Sequence, residues 1–246
     1  MSNATMKTLY LSHGDKGGCG KSVLAMFVVE HLLASGKPVH LVESDPSQPD
    51  LAVRYANDPD VVNGFLSLNQ AGDSENAISK FNTWLELNGG EDVVVNLPAG
   101  ASETLDTLGD LLADTCADLG YRLVVTYSLE KNGMAADMLV KSMKSGLMSH
   151  VTPESRFVVY PAFKGEPGDF AWFTHAARKK YAAGEIAMPA MKSTAAWKAL
   201  EATPGRVSEL IDKTKRPEGW MVTDQSSVFR FYKASMDAIA PLFEEV

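Results

Sequence analysis

Short continuous apolar runs alternate with longer amphipathic stretches along the whole chain. The runs predict strands over 7–12, 38–43, 92–96, 122–127, 156–160 and 185–188. Val93-Val94-Val95 and Leu123-Val124-Val125 have the continuous, β-branched character of strands buried on both faces. Spacing near 3.6 predicts helices over 20–35, 103–119, 132–145, 193–202, 205–213 and 226–243. The first helix stops at Gly36, and Pro189 closes the last strand. Residues 48–88 read as mostly helical, broken at Asn63-Gly64 and Ala71-Gly72-Asp73. This alternation predicts an α/β fold, a mostly parallel, doubly wound sheet with helices on both faces. No internal repeat or low-complexity linker divides it, so one domain is expected over 1–246. Residues 1–5 are expected to be disordered; Ser2-Asn3-Ala4 reads as a tag remnant ahead of Met6.

The first strand and first helix are joined by Lys16-Gly17-Gly18-Cys19-Gly20-Lys21-Ser22. Strand, glycine loop and helix in this order make a phosphate-binding loop. Glycines let successive N–H groups point at one anion, and the helix aims its positive end at the same place. Lys21 would reach the outer phosphates and Ser22 would hold Mg²⁺. In such a sheet the ligand lies at the carboxyl ends of the strands. Strand 2 ends there in Glu43-Ser44-Asp45-Pro46-Ser47-Gln48, and strand 3 in Asn96-Leu97-Pro98-Ala99-Gly100.

The loop has two particulars. Asp15 stands where the common motif begins with Gly, and Lys16 is a second lysine within it. Together they resemble the deviant Walker A loop of the ParA/MinD family of P-loop ATPases. The resemblance implies ATP and Mg²⁺ as cofactors, with residues 15–23 (Asp15, Lys16, Gly17, Gly18, Cys19, Gly20, Lys21, Ser22 and Val23) around the nucleotide. It implies a homodimer formed on ATP binding, in which Lys16 reaches the partner's nucleotide; alternatively Lys16 is a solvated charge. Glu43 to Gln48 is similar to the family's first switch, which makes Asp45 the residue that positions the attacking water near Mg²⁺; alternatively it is a turn aspartate before Pro46. Asn96 falls where the family's second switch has an Asp that binds a water on Mg²⁺. An amide accepts a hydrogen bond but carries no charge, so slow or absent hydrolysis is expected. Asn96→Asp is then expected to raise turnover. Gly100 would offer its N–H to a γ-phosphate. Near the base, Tyr160 either stacks on it or plugs the sheet end, and the Pro189 loop borders it. The residues leave ATP and GTP open; the preference for ATP comes from the resemblance.

Composition narrows the class. With 45% apolar and 22% charged residues, the 246-residue chain has the make-up of a soluble globule. No apolar run reaches a membrane span and no leader is evident, so a cytoplasmic protein is expected. Cys19 and Cys116 are too few for a disulfide framework or zinc site, and the five histidines lack ligand spacing. Paired-cysteine pumps and iron–sulfur relatives are excluded on the same ground.

Residues 1–140 carry 8 basic and 19 acidic side chains, whereas residues 141–220 carry 13 basic and 8 acidic. The basic segment is either a partner surface or a set of solvated helix faces. Within it, 163–181 combines Phe170, Trp172 and Phe173 with Arg178-Lys179-Lys180, on a helix expected to be capped by Asp169. It is the candidate surface for a cargo or adaptor protein, or for non-specific DNA. In the last helix Val228, Tyr232, Ile239 and Phe243 form an apolar stripe without a Lys/Arg-rich face. Docking onto the domain is expected rather than membrane targeting. The resemblance is nearest to plasmid stability and conjugal-transfer ATPases of the StbB/TraL kind, and so implies a switch in plasmid partition, stability or conjugative transfer. Two alternatives stand beside it: a non-hydrolysing nucleotide-binding regulator and a biosynthetic P-loop enzyme, for which no added substrate motif is present.

Overall fold

The computed structural model describes residues 6–14, 16–44, 49–68 and 73–244. In chain order the elements are β1 (Lys7–His13), α1 (Lys21–Ala34), β2 (Val39–Glu43), α2 (Asp50–Arg54), β3 (Val61–Phe65), α3 (Ser74–Asn88), β4 (Asp92–Asn96), α4 (Ser102–Thr107), α5 (Gly109–Asp118), β5 (Tyr121–Ser128), α6 (Gly133–Ser145), β6 (Arg156–Pro161), α7 (Ala171–Thr174), β7 (Gly184–Met188), α8 (Thr194–Ala202), α9 (Val207–Leu210) and α10 (Val222–Ile239). Among the described residues the strands form one seven-stranded sheet in the order β3-β2-β4-β1-β5-β6-β7. Every neighbouring pair is parallel.

Strand alternation divides the core in two. Leu9, Leu11, Val93, Val95, Val125 and Val158 face the helices α3 to α7. Tyr10, Leu41, Val94, Val124 and Val159 face α1, α2 and α8 to α10. Helix α1 is apolar nearly all round, from Leu24 to Leu33, because it lies between the sheet and α10. Phe27 meets the ring edge of Phe231 at 5.3 Å. The apolar stripe does dock: Val228 and Ile239 of α10 are fully buried, and Phe243, which ends the turn Ala240–Phe243 after it, packs on Tyr10 at 5.4 Å and His31 at 3.6 Å.

The chain winds from β1 out to β2 and β3, returns to β4 between β2 and β1, then continues through β5 to β7 on the other side. The carboxyl ends of β1 and β4 therefore mark the reversal of winding, where open α/β sheets bind ligands.

Three expectations change. Within 48–88 helix still predominates among the described residues, but the edge strand β3 lies there too, and Asn63-Gly64 is inside that strand rather than a break between helices; Ala71-Gly72 lies outside the described residues. A Cβ on Gly64 would lie 3.0 Å from the Trp84 indole, so a larger residue there would have to push that ring aside by a few tenths of an ångström. The helix over 103–119 is two, divided at Leu108, and Thr107 donates back to the Glu103 carbonyl at 2.7 Å. The helix over 205–213 is only the turn Val207–Leu210, because side chains take over the backbone beyond it. Gln225 donates to the carbonyls of Leu210 and Asp212, and Asp212 accepts from Thr214.

Candidate nucleotide site

The loop between β1 and α1 turns through glycines. Gly18 and Gly20 have φ of 69° and 88°, in the left-handed region. Gly20 occupies the N-cap of α1 and supplies no side-chain cap, so the first N–H groups of this 14-residue helix are left for an anion. Ser12 anchors the loop by donating to the Lys21 carbonyl at 2.8 Å. The Lys21 ammonium folds back on the Lys16 carbonyl at 2.8 Å and lies 3.7 Å from the Cys19 sulfur. Lys21 is only 6% exposed and forms no ion pair among the described residues.

A cleft of about 560 Å³ opens over this loop. Gly17 to Val23 form its floor, and Asn96 to Ala99 form one wall. Val159, Pro161 and Phe163 form the opposite wall. Its far end is apolar: Met188 to Met191 from the end of β7, Trp197 of α8 and Phe231 of α10. A polar, N–H-rich end and an apolar, aromatic end suit an elongated ligand with a charged head and a planar tail.

Of the expected site residues, Gly17, Gly18, Cys19, Gly20, Lys21, Ser22, Val23, Asn96 and Pro189 all line this cleft. Lys16 is exposed beside it. Gly100 sits in the turn after Ala99 with φ of 86°, outside the lining. Asp15 and Asp45 lie outside the described residues. Tyr160 is not brought to the cleft. Alternation along β6 gives Val159 and Pro161 to the cleft side and turns Tyr160 to the opposite core. There its hydroxyl donates to Glu185 at 3.1 Å and its ring meets Phe170 at 5.4 Å, so it plugs the sheet.

Sequence reasoning missed Asp50, Phe163, Trp197 and Phe231, all of which line the cleft. Asp50 opens α2, directly after Pro49. Phe163 is 56% exposed two residues past the end of β6, and a large apolar side chain just past a strand's carboxyl end is the signal that would have found it.

Behind the wall lies a second arrangement. Glu43 ends β2 and Asn96 ends β4, and the two residues are register partners. The Asn96 amide donates to Glu43 Oε1 at 2.7 Å, and the Leu51 N–H donates to Oε2 at 3.3 Å. Glu43 is fully buried, and burial pushes its carboxyl up to about 7, against the hydrogen bonds from Asn96, Leu51 and Ala52. Asn96 Oδ1 and the Ser44 hydroxyl are buried without a hydrogen-bond partner. Asn96 lines the cleft together with Ser22 and Asp50, and Ser44 does not. Oxygen donors of this kind suit a hard divalent cation such as Mg²⁺, although no cluster of three or more His, Cys, Asp or Glu side chains is gathered for a metal among the described residues.

The stretch 163–181 differs from expectation. Asp169 caps no long helix; it ends the turn Pro167–Asp169, where its carboxylate accepts the Glu166 N–H at 3.1 Å and pairs with Lys131 at 3.3 Å. Trp172 is buried. Arg178 binds Glu185 in bidentate fashion, at 2.6 and 2.7 Å, and stacks over Phe173 at 4.2 Å. Lys164 pairs with Glu130. Lys179 and Lys180 remain exposed. No helix among the described residues is long and apolar enough to cross a membrane.

No family model matches the chain. Protein MobD of Acidithiobacillus ferrooxidans is similar over 143 residues at 29% identity, a match that takes in 56% of this chain and 58% of that protein. Two solved structures are similar in fold. A nucleotide-binding protein from Archaeoglobus fulgidus, in complex with ADP and with cobalt, aligns over 79% of this chain and 85% of its own at 13% identity and a TM-score of 0.45. The signal recognition particle receptor FtsY of Elizabethkingia anophelis aligns over 93% of this chain and 66% of its own at 9% identity and a TM-score of 0.48. The chain itself has an all-parallel seven-stranded α/β sheet, among the described residues, with a glycine loop running from its strand β1 into α1.

Proposed function

We propose that this chain is a cytoplasmic Mg²⁺-ATP-dependent switch that dimerises on nucleotide and resets by slow hydrolysis. One observation carries the nucleotide part. Lys21 is a buried ammonium held only by a carbonyl and a thiol, at the mouth of a helix with uncapped N–H groups. A buried cation without an anion is costly, and a polyphosphate supplies what the site lacks. The loop N–H groups and Lys21 would take the phosphates, and the apolar end between Met188, Trp197 and Phe231 would take the base. Ser22 and Asn96 would hold Mg²⁺, with Asp45 as the residue that orients the attacking water. The metal, when bound, would neutralise charge on the phosphoryl group. Lys16, exposed at the rim, is free to reach a second subunit. The ParA/MinD resemblance supports that role, and with it a place in plasmid partition, stability or transfer alongside a cargo or adaptor protein.

Light scattering on a sizing column, without nucleotide, with ADP and with Mg²⁺-ATP, tests the reading. A dimer in ATP alone, lost in Lys16→Ala while ADP still binds, is the expected result. Dimers that persist in Lys16→Ala would remove the trans-acting lysine, and a monomer throughout would remove the switch.

A second reading, a binder that does not hydrolyse, is favoured by the uncharged Asn96 in the second switch. Tight nucleotide binding with no phosphate release would select it.

A further inference from the structure

We infer that Glu43 supplies, through Asn96, the negative charge that the second-switch position itself lacks, so that the Mg²⁺-facing acceptor is one unit split across two adjacent strands. This inference rests on the nucleotide-binding reading above.

Three observations on the pair converge. First, parallel register fixes it: Glu43 and Asn96 are partners at the carboxyl ends of β2 and β4, so their side chains emerge on the same side of the sheet. Second, the pair is oriented. The amide nitrogen of Asn96 is committed to Glu43 at 2.7 Å, which turns the amide oxygen away from the carboxylate. That oxygen is buried without a partner on a residue that lines the cleft. Third, the charge is otherwise unexplained. Glu43 ties β2 to β4 and to the first turn of α2, but a neutral glutamine would tie the first of these equally well. Among the described residues it forms no ion pair, although a buried carboxylate without a cation costs several kcal/mol.

Donating its N–H to a carboxylate polarises the amide and makes its oxygen a better acceptor. Carboxylate partners raise the basicity of metal-ligating histidines in the same way. Glu43 is thus a positioning residue, acting through Asn96 on the water shell of the metal. The arrangement also reverses the expectation for Asn96→Asp. That change alone would set two carboxylates at the 2.7 Å contact, where like charges prevent both from ionising. The charge has to be exchanged, by Glu43→Gln together with Asn96→Asp.

The test is calorimetric binding of a non-hydrolysable ATP analogue at pH 8, in EDTA and across a Mg²⁺ series, with melting curves for every variant. In the wild type, Mg²⁺ is expected to tighten binding. Glu43→Gln should lose about tenfold or more of that gain while keeping its affinity in EDTA. Asn96→Asp alone should gain nothing, and the exchanged pair should return to within about threefold of the wild type, the recovery that second-shell losses of this size leave measurable. A purely structural tie would weaken both conditions alike and would not be rescued by the exchange; that pattern overturns the inference. So does an undiminished Mg²⁺ gain in Glu43→Gln. Should Glu43→Gln unfold, a Mg²⁺ gain in Asn96→Asp above the wild-type value overturns it equally. A wild type that binds no analogue, with or without Mg²⁺, fails at the functional reading instead.

Discussion

Two charges of opposite sign are buried at the candidate site without ion-pair partners among the described residues, the Lys21 ammonium and the Glu43 carboxyl. Each costs folding energy in the nucleotide-free protein, and for Glu43 that cost depends on pH. Burial favours the neutral acid, so the folded chain holds the proton above the ordinary value of 4.5, up to about 7. Stability from this group is therefore full below 4.5 and is lost as pH rises through about 7. A shift of this size amounts to at most about 3 kcal/mol, at roughly 1.4 kcal/mol per pH unit. Without nucleotide or Mg²⁺, Glu43→Gln gives up the bond from Leu51 at every pH, so what is expected is a change with pH: its melting temperature should rise by several degrees relative to the wild type between pH 5 and pH 8. A difference that does not change with pH would show that Glu43 is not the titrating group. The pair also shows where reading the sequence stops. Lys21 and Ser22 are legible because their chemistry is set within one local loop. The bond from Asn96 to Glu43 joins residues 53 apart and exists only because β2 and β4 pair in one register, which no local pattern states.

At the scale of elements, long buried strands and the glycine loop were the legible parts. Six strands fall within two residues of their expected bounds because continuous apolar runs have few alternative uses. The edge strand β3 was illegible: Val62 and Phe65 are exposed, so it lacks a full apolar run, and its Asn-Gly has the usual signature of a turn. The split between α4 and α5 was hidden for a different reason, since it answers to a distant segment. A Cβ on Gly109 would lie 2.7 Å from the Leu147 Cα, so this helix start is packed directly on backbone. Backbone cannot rotate away as a side chain can. Gly109→Ala is therefore expected to destabilise by about 1–3 kcal/mol, the usual cost of overpacking, despite alanine's better helix propensity. Urea unfolding measures it; a stabilised variant would mean that α5 and the 147–150 turn are free to separate.

Across the whole molecule, the basic segment is less available to a polyanion than its composition suggests. Arg178, Lys164 and Arg206 are paired with Glu185, Glu130 and the two aspartates Asp58 and Asp60. Lys213, Lys215 and Arg216 are exposed and form no ion pair among the described residues. Their loop is held in place by Gln225, and by Trp220, which donates to Thr203 at 3.0 Å. Lys213 lies over the Phe229 ring at 5.3 Å. If non-specific DNA is a partner, this face should carry it rather than 163–181. Cations fixed on one face release counterions together, and each phosphate contact contributes about 0.9 to the slope of log affinity against log salt. Binding of a short duplex of arbitrary sequence, followed by anisotropy from low to physiological salt, should then show a slope that becomes shallower by about 2–3 in the Lys213→Ala, Lys215→Ala, Arg216→Ala triple variant. The Lys164→Ala, Arg178→Ala double variant should leave it nearly unchanged. The opposite pattern would place the contact on 163–181, and no binding at low salt would remove DNA as a partner of either segment.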